Sequence, residues 1–392
     1  MVSFRARVEG PPGSLVAGRM GGRAIAAIAV AMAVAILAVA GAAPASAAPK
    51  PRPPTETVGP AGVLGWDLGP GAKRRGRPPT DSSGAFVYRK GRYSPLGAIP
   101  GAALLGAIPG FPDATVFDTH FAINDHGETA GFYSDAVPGP DGTPPPDSTH
   151  GFVKSRRGDV ASFDVPGASY LLAKGNNNHG EVVGTYVDAV PGEDGTVPPG
   201  SVHGFVRDRH GAISTFDVPF FRLHDVADIN ERRQMVGYYD KPDGAGGGAF
   251  LREPTGAITR IEVPGALVTT AHAINNRGRV VGAYLEPGVA PNPDGTVPAN
   301  TVHGFVWEKG RITRFDVPRS IWTQPFGINN RGQISGGYYD AAGKQHGFLL
   351  ERGRYKTLDA PGRTDNIAWG INDRGQVVIP EDTVRLLPVA VR

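Results

Sequence analysis

Histidine and aspartate recur at fixed offsets in this chain. His150, His203, His303 and His346 each precede Gly-Phe, and Asp164, Asp217, Asp316 and Asp359 follow in Phe-Asp-Val-Pro or Leu-Asp-Ala-Pro elements. A further set, Asp135, Asp188, Asp240 and Asp340, stands just after a Tyr that ends another apolar run. A His–carboxylate pair could move a proton or hold a cation. The repetition argues for a plainer use. A catalytic centre needs one asymmetric constellation, whereas a residue present in nearly every copy has a task in every copy. These pairs are expected to join strand ends as hydrogen-bonded groups. Asn124, Asn177, Asn230, Asn275, Asn329 and Asn372, which mark the middles of the copies, are expected to form turns.

The elements that must position these residues are short strands. Six copies open at Phe86, Phe152, Phe205, Phe250, Phe305 and Phe348, and their middle Asn residues recur at intervals of 43 to 54 residues. Each copy reads as two hairpins. Gly-Phe-Val leads through a Gly turn to an alternating strand. A variable loop then precedes a strand ending in Ile-Asn, and Asn-Asn-Arg-Gly turns into Val-Val-Gly-Ala-Tyr. The chain after the leader shows no sustained helical period. The expected fold is all-β: a six-bladed β-propeller of four-stranded antiparallel blades. Seven blades remain an alternative, because Ala85-Phe86 lacks its His and the last copy decays to Val377-Val378-Ile379. A strand near Trp66 or Leu386 could complete a blade.

Function is expected where the copies differ. In a four-strand meander the short hairpin turns share one face and the variable connections share the other. The variable face carries Tyr170, Phe220, Phe221, His224, His272 and Trp322, expected as a ligand platform because aromatic rings offer flat apolar faces at low entropy cost. Trp322 leads that set, while Trp369 is read as blade core. Three long Pro-rich connections on the same face contain Asp-Gly-Thr at Asp141, Asp194 and Asp294. Glu193-Asp194-Gly195 offers hard oxygen ligands, but EF-hand and nonapeptide calcium spacings are absent, so calcium stands only as an alternative to no cofactor. No nucleophile elbow, zincin motif or phosphate-cradling loop is present.

The combined motif resembles the HAF family of bacterial extracellular repeats. It is carried by His150-Gly151-Phe152, His203-Gly204-Phe205, His303-Gly304-Phe305 and His346-Gly347-Phe348 with the Ile-Asn and Val-Val-Gly-x-Tyr elements, over about residues 84–379. Gly replaces the middle Ala, and His is missing before Phe86 and Phe250. The resemblance implies a secreted repeat protein and brings no catalytic residues with it.

The remaining bulk properties bound location and partners. Arg5, Arg7, Arg19 and Arg23 precede an apolar run from Ala24 to Ala40, and Ala45-Ser46-Ala47 supplies a small-residue cleavage site, as in a secretory signal peptide. Residues 1–47 are read as that signal, 48–83 as a Pro/Gly/Arg-rich linker, and 84–392 as the propeller. Cysteine is absent, which excludes disulfides, thiolate metal sites and a cysteine nucleophile. Without residues 1–47 the chain carries 36 basic and 36 acidic residues, so net charge gives no reason to expect nucleic acid. The expected protein is a secreted monomer that binds carbohydrate or another extracellular protein without catalysis. The alternative is a hydrolase or lyase acting on extracellular polysaccharide, with His120, Asp118, Asp113, His224, Asp225, His272 and Asp365 as its candidate acids and bases.

Overall fold

A computed structural model describes residues 85–380, apart from 98, 101–117, 137–144, 190–197, 199, 219–221, 242–245, 291–296, 362, 364 and 365, together with residues 389–390. The signal and linker segments, Trp66, Leu386, Asp141, Asp194 and Asp294 all lie outside the described residues. So do Asp113, Phe220, Phe221 and Asp365.

The fold is an all-β propeller of six antiparallel blades. Blade one runs outward from the axis as Asp118–Ile123, Thr129–Ser134, Thr149–Lys154 and Val160–Phe163. Blades two to five repeat that meander, and their inner strands are Tyr170–Asn176, Arg222–Ile229, Thr269–Ile274 and Trp322–Ile328. Blade six is built from both ends of the chain. Val377–Ile379 pairs with Phe86–Arg89, which pairs with Arg92–Pro95, and a bridge between Ile371 and Val377 adds the innermost segment. The blade frame is therefore offset from the sequence copy by two strands. The Phe that opens each copy sits on the third strand of a blade, and the inner strand of the next blade begins the same copy's second half. This offset lets the N-terminal hairpin Phe86–Pro95 pair with Val377–Ile379 and close the ring.

Packing explains the His-Gly-Phe and Phe-Asp-Val-Pro elements together. Gly151, Gly204 and Gly304 pair across the sheet with Phe163, Phe216 and Phe315. A Cβ on Gly151 would meet the Phe163 ring at 2.3 Å, and one on Gly204 would meet Phe216 at 2.5 Å. The outer-strand ring thus lies flat on a bare glycine, which only glycine permits. The following Phe points the other way. Phe152, Phe205, Phe250, Phe305 and Phe348 are all fully buried, four of them in the apolar clusters between neighbouring blades. Each such ring contributes on the order of 2–3 kcal/mol of burial.

Candidate functional site

The six Asn-led turns meet around the axis in two closed rings of hydrogen bonds. Each repeated Asn first shapes its own turn: Asn124 Oδ1 accepts the N–H groups of His126 and Glu128, both at 3.0 Å. Its amide then reaches the next blade. Asn124 Nδ2 donates to the carbonyl of Asn177, Asn177 to Asn230, Asn230 to Asn275, Asn275 to Asn329, Asn329 to Asn372, and Asn372 back to Asn124. The following residue builds a second ring. The Asp125 N–H donates to Asn178 Oδ1, Asn178 to Glu231, Glu231 to Asn276, Asn276 to Asn330, Asn330 to Asp373, and Asp373 to Asp125. Neither ring is visible in one copy alone, since every bond crosses to the next blade.

Below this rim, a β-bulge interrupts each of the first five inner strands at the residue three before the Asn. Bulges re-aim one side chain out of the pleat. Here they set Phe121, Lys174, Ala227, His272 and Phe326 around the axis, and Trp369 occupies the same place in blade six. The result is an axial pocket with about 90 Å³ open to water-sized molecules, room for several waters. Its floor is an aromatic arc. Phe326 stacks on Trp369 with ring centroids 4.0 Å apart, Phe121 meets the same indole at 4.7 Å, and His272 lies 4.9 Å from Phe326.

The polar groups of the pocket are held by neighbours. Lys174 Nζ donates to Asp225 Oδ2 at 2.5 Å with both side chains buried, and Thr185 Oγ1 donates to the other Asp225 oxygen at 3.1 Å. His272 Nε2 lies 3.0 Å from Thr270 Oγ1 and 3.0 Å from Gln324 Nε2. Gln324 donates, so this nitrogen is an acceptor and the ring is neutral. Burial, reinforced by the Lys174 charge, pushes the imidazole down to about 3. Asp228 lies in the wall and accepts the N–H groups of Ile274 and Ile229, both at 2.9 Å. Burial raises its carboxyl to about 7 against those two donors, and the nearby Glu231 charge adds to the rise.

The platform residues whose side chains are described, Tyr170, His272 and Trp322, are all buried and do not form an exposed surface. Trp322 is 1 % exposed, lies edge-on to Tyr339, and donates from Nε1 to Gln324 Oε1 at 3.3 Å. It has no face to offer a ligand; it fixes the Gln324 amide that holds His272. Tyr170 is buried in the inner strand of blade two. His224 lies on the inner strand of blade three, and His120 and Asp118 on that of blade one. Of the three platform residues with described side chains, His272 lines the axial pocket and Tyr170 and Trp322 do not. Trp369, read from the sequence as blade core, lines it too. The sequence reading missed Lys174, Asp228 and the rim. The available signal was the position three before each Asn, which reads Phe, Lys, Ala, His, Phe and Trp within an otherwise constant frame.

The repeated His residues lie on the opposite face, each tied within its own blade. His150 Nδ1 is 2.6 Å from Asp164 and Nε2 is 3.3 Å from Asp135. His203 sits between Asp217 at 2.7 Å and Asp188 at 3.2 Å, and His346 between Asp359 at 2.9 Å and Asp340 at 3.3 Å. His303 lies 3.0 Å from Asp316 and 3.9 Å from Glu286. Partial burial lowers the His150 and His203 values, but bonding to the two flanking aspartates more than offsets it and the net shift is upward. Among the described residues no group of three or more His, Asp or Glu is arranged to hold a metal.

No family model matches the chain, and no curated protein does. Solved structures similar to it include TolB from Acinetobacter baumannii, at 9% identity and TM-score 0.41 over 78% of this chain and 65% of that one. A mutant of AofleA from Arthrobotrys oligospora is similar at 13% identity and TM-score 0.39, over 76% and 82% of the two chains. Trypanosoma rangeli sialidase is similar at 7% identity and TM-score 0.40, over 79% and 57%. The chain thus spans less than two thirds of the TolB and sialidase structures.

Proposed function

We propose that this propeller is an exported, non-catalytic binding protein whose axial pocket takes a neutral, hydroxyl-rich ligand such as the end of a sugar chain. The observation that carries the reading is the pairing of an aromatic floor with a rim of three carboxylates and three amides. Trp369, the partly exposed ring of that floor, offers apolar surface to sugar C–H groups, while Asp125, Glu231 and Asp373 accept from hydroxyls and Asn276 donates to them. The fixed pairing of Lys174 with Asp225, and of His272 with Gln324, supports binding over turnover, since both are already engaged in supporting bonds. Export rests on the Arg-led apolar run of residues 5–40 and the Ala45-Ser46-Ala47 site. Calorimetric titration with a panel of neutral oligosaccharides tests the reading. Saturable binding that is lost in Trp369→Ala and weakened in Glu231→Gln is expected; heat indistinguishable from dilution across the panel overturns it.

Asp228 favours a second reading, a hydrolase or lyase acting on extracellular polysaccharide. A buried carboxyl that titrates near neutrality, in a pocket wall beside Glu231, has the poise of a general acid. Reducing ends or unsaturated products that accumulate linearly with time, and fail to do so in Asp228→Asn, select this reading instead.

A further inference from the structure

Net charge conceals a strong separation of charge along the propeller axis. One face carries the twelve short turns that join first to second and third to fourth strands. Counted from the last residue of one strand to the first of the next, these turns hold nineteen Lys and Arg against ten Asp and Glu. The connections on the opposite face reverse the sign, with twelve acids against five bases among the described residues. The separation follows from the repeat. The second residue after each motif Asn is His126, His179, Arg232, Arg277, Arg331 or Arg374, all exposed, while the acids that flank the repeated His residues all belong to the other face.

We propose that the turn face is a docking surface for a linear acidic polysaccharide, laid across the ring of exposed arginines around the axial mouth. Three observations select this partner. Sixteen of the nineteen bases are Arg, whose planar fork suits carboxylate and sulfate groups, whereas a merely solvated surface has no need of Arg over Lys. Arg277, Arg331 and Arg374 are exposed and take no ion pair among the described residues, in contrast to Arg233, which is held by Glu181, and Arg279, which is held by Glu308. Nucleic acid fits the same charge less well. These turns hold no Phe, Tyr or Trp on which unpaired bases could stack, and the described residues include no helix to enter a groove. Arg277, Arg331 and Arg374 surround the mouth of the axial pocket without lining it, and the proposal stands whether or not that pocket binds a ligand.

The test is binding of the whole chain to polygalacturonate, to dextran sulfate and to uncharged dextran, measured against salt. Binding to one or both polyanions and not to dextran is expected, with affinity falling steeply as salt rises because condensed counterions are released. Whichever polyanion binds more tightly identifies the anionic group. The triple variant Arg277→Gln, Arg331→Gln, Arg374→Gln should lose at least about tenfold in affinity, and its log–log salt slope should flatten by about three. The triple variant Lys241→Gln, Arg319→Gln, Lys344→Gln removes the same charge from the opposite face and should bind as the parent does. Equal losses in both variants, no binding to either polyanion at low salt, or tighter binding to single-stranded DNA than to both polysaccharides overturns the proposal. Concentration-dependent sedimentation in place of polysaccharide binding also overturns it, since the basic face would then be occupied by the acidic face of a second copy.

Discussion

The Asn-led turns and the His–Asp pairs are both repeated polar elements, set at opposite faces of the same blades, and they do different work. An Asn donates from its buried amide to the backbone of the neighbouring blade, 43 to 54 residues away along the ring and 248 where it closes. A His bonds an aspartate 13 or 14 residues on in its own blade, at the wet edge of the sheet. One element assembles the ring; the other trims a hairpin. The difference lies in water. Bonds at the hub are shielded and costly to break, whereas those of the His–Asp pairs compete with solvent and are worth little.

The strongest test of the shielded hub is its buried ion pair. Lys174→Met or Asp225→Leu alone should destabilise the fold by about 3–5 kcal/mol in chemical denaturation, because each strands a buried charge. The double variant should recover most of that loss. If both single variants cost less than 1 kcal/mol, the hub is wetter than its geometry implies.

Next comes the sheet that couples the two faces. A Cβ on Gly282 would lie 1.9 Å from the Thr270 carbonyl oxygen, and one on Gly336 2.3 Å from that of Gln324. Gly282→Val should cost about 3 kcal/mol, the upper end of overpacking penalties, since the neighbour is backbone and cannot swing away. A thermal melt unchanged within error would remove this account of the glycine.

Smaller in effect, and aimed at the ring itself, is Asn372→Ala. It deletes a donor to Asn124 across the closure between first and last blades, and leaves the Arg374 and Gln376 N–H groups without their acceptor. A loss of about 2 kcal/mol is expected. Asn372→Asp, which retains the acceptor and loses the interblade donor, should keep the local turn but weaken closure, read as faster hydrogen exchange in blades one and six than in blades three and four.

The His–Asp pairs give the smallest effect. His203→Ala should cost no more than about 0.5 kcal/mol, as expected of partly exposed pairs. The pH dependence carries a definite sign. The folded values of His150 and His203 lie above the unfolded one, so their contribution is present in full below about 6.5 and is lost as pH rises through the folded values. His272 acts oppositely. Its folded value near 3 means that its neutral form stabilises the hub above about 6.5, and the contribution is lost as pH falls from there toward 3. Melts of the parent, His203→Ala and His272→Gln between pH 4 and 9 separate the two, and a His272→Gln variant with unchanged acid sensitivity would sink the second assignment.

Much of the scaffold was legible because its causes are local or repeated. Period, turn chemistry at Asn-x-x-Gly and the Gly-Phe strands announce four-stranded units, and six of them announce a propeller. The His–Asp pairing was legible for the same reason: partners 13 or 14 residues apart share one hairpin. The candidate site was much less so. Trp322 looked like a ligand platform because exposed and buried indoles read alike in sequence, and only the inner-strand position places it against Tyr339 and Gln324. The repeated Asn was read as a turn former, which it is; its amide on the neighbouring blade could not be seen from one copy.

The sequence by itself determined the four-stranded unit, since hairpin geometry depends on residues close along the chain, and left six blades against seven to the closed ring. The tertiary structure alone decided what the units enclose. Closing the ring brings Phe121, Lys174, His272, Phe326 and Trp369, each from a different copy, to one axis. Alignment of the blades in the ring also gathers the basic turns of every repeat on one face and the acidic connections on the other. The reason is geometric: distances across the axis depend on how many blades close the circle, a property no single repeat contains.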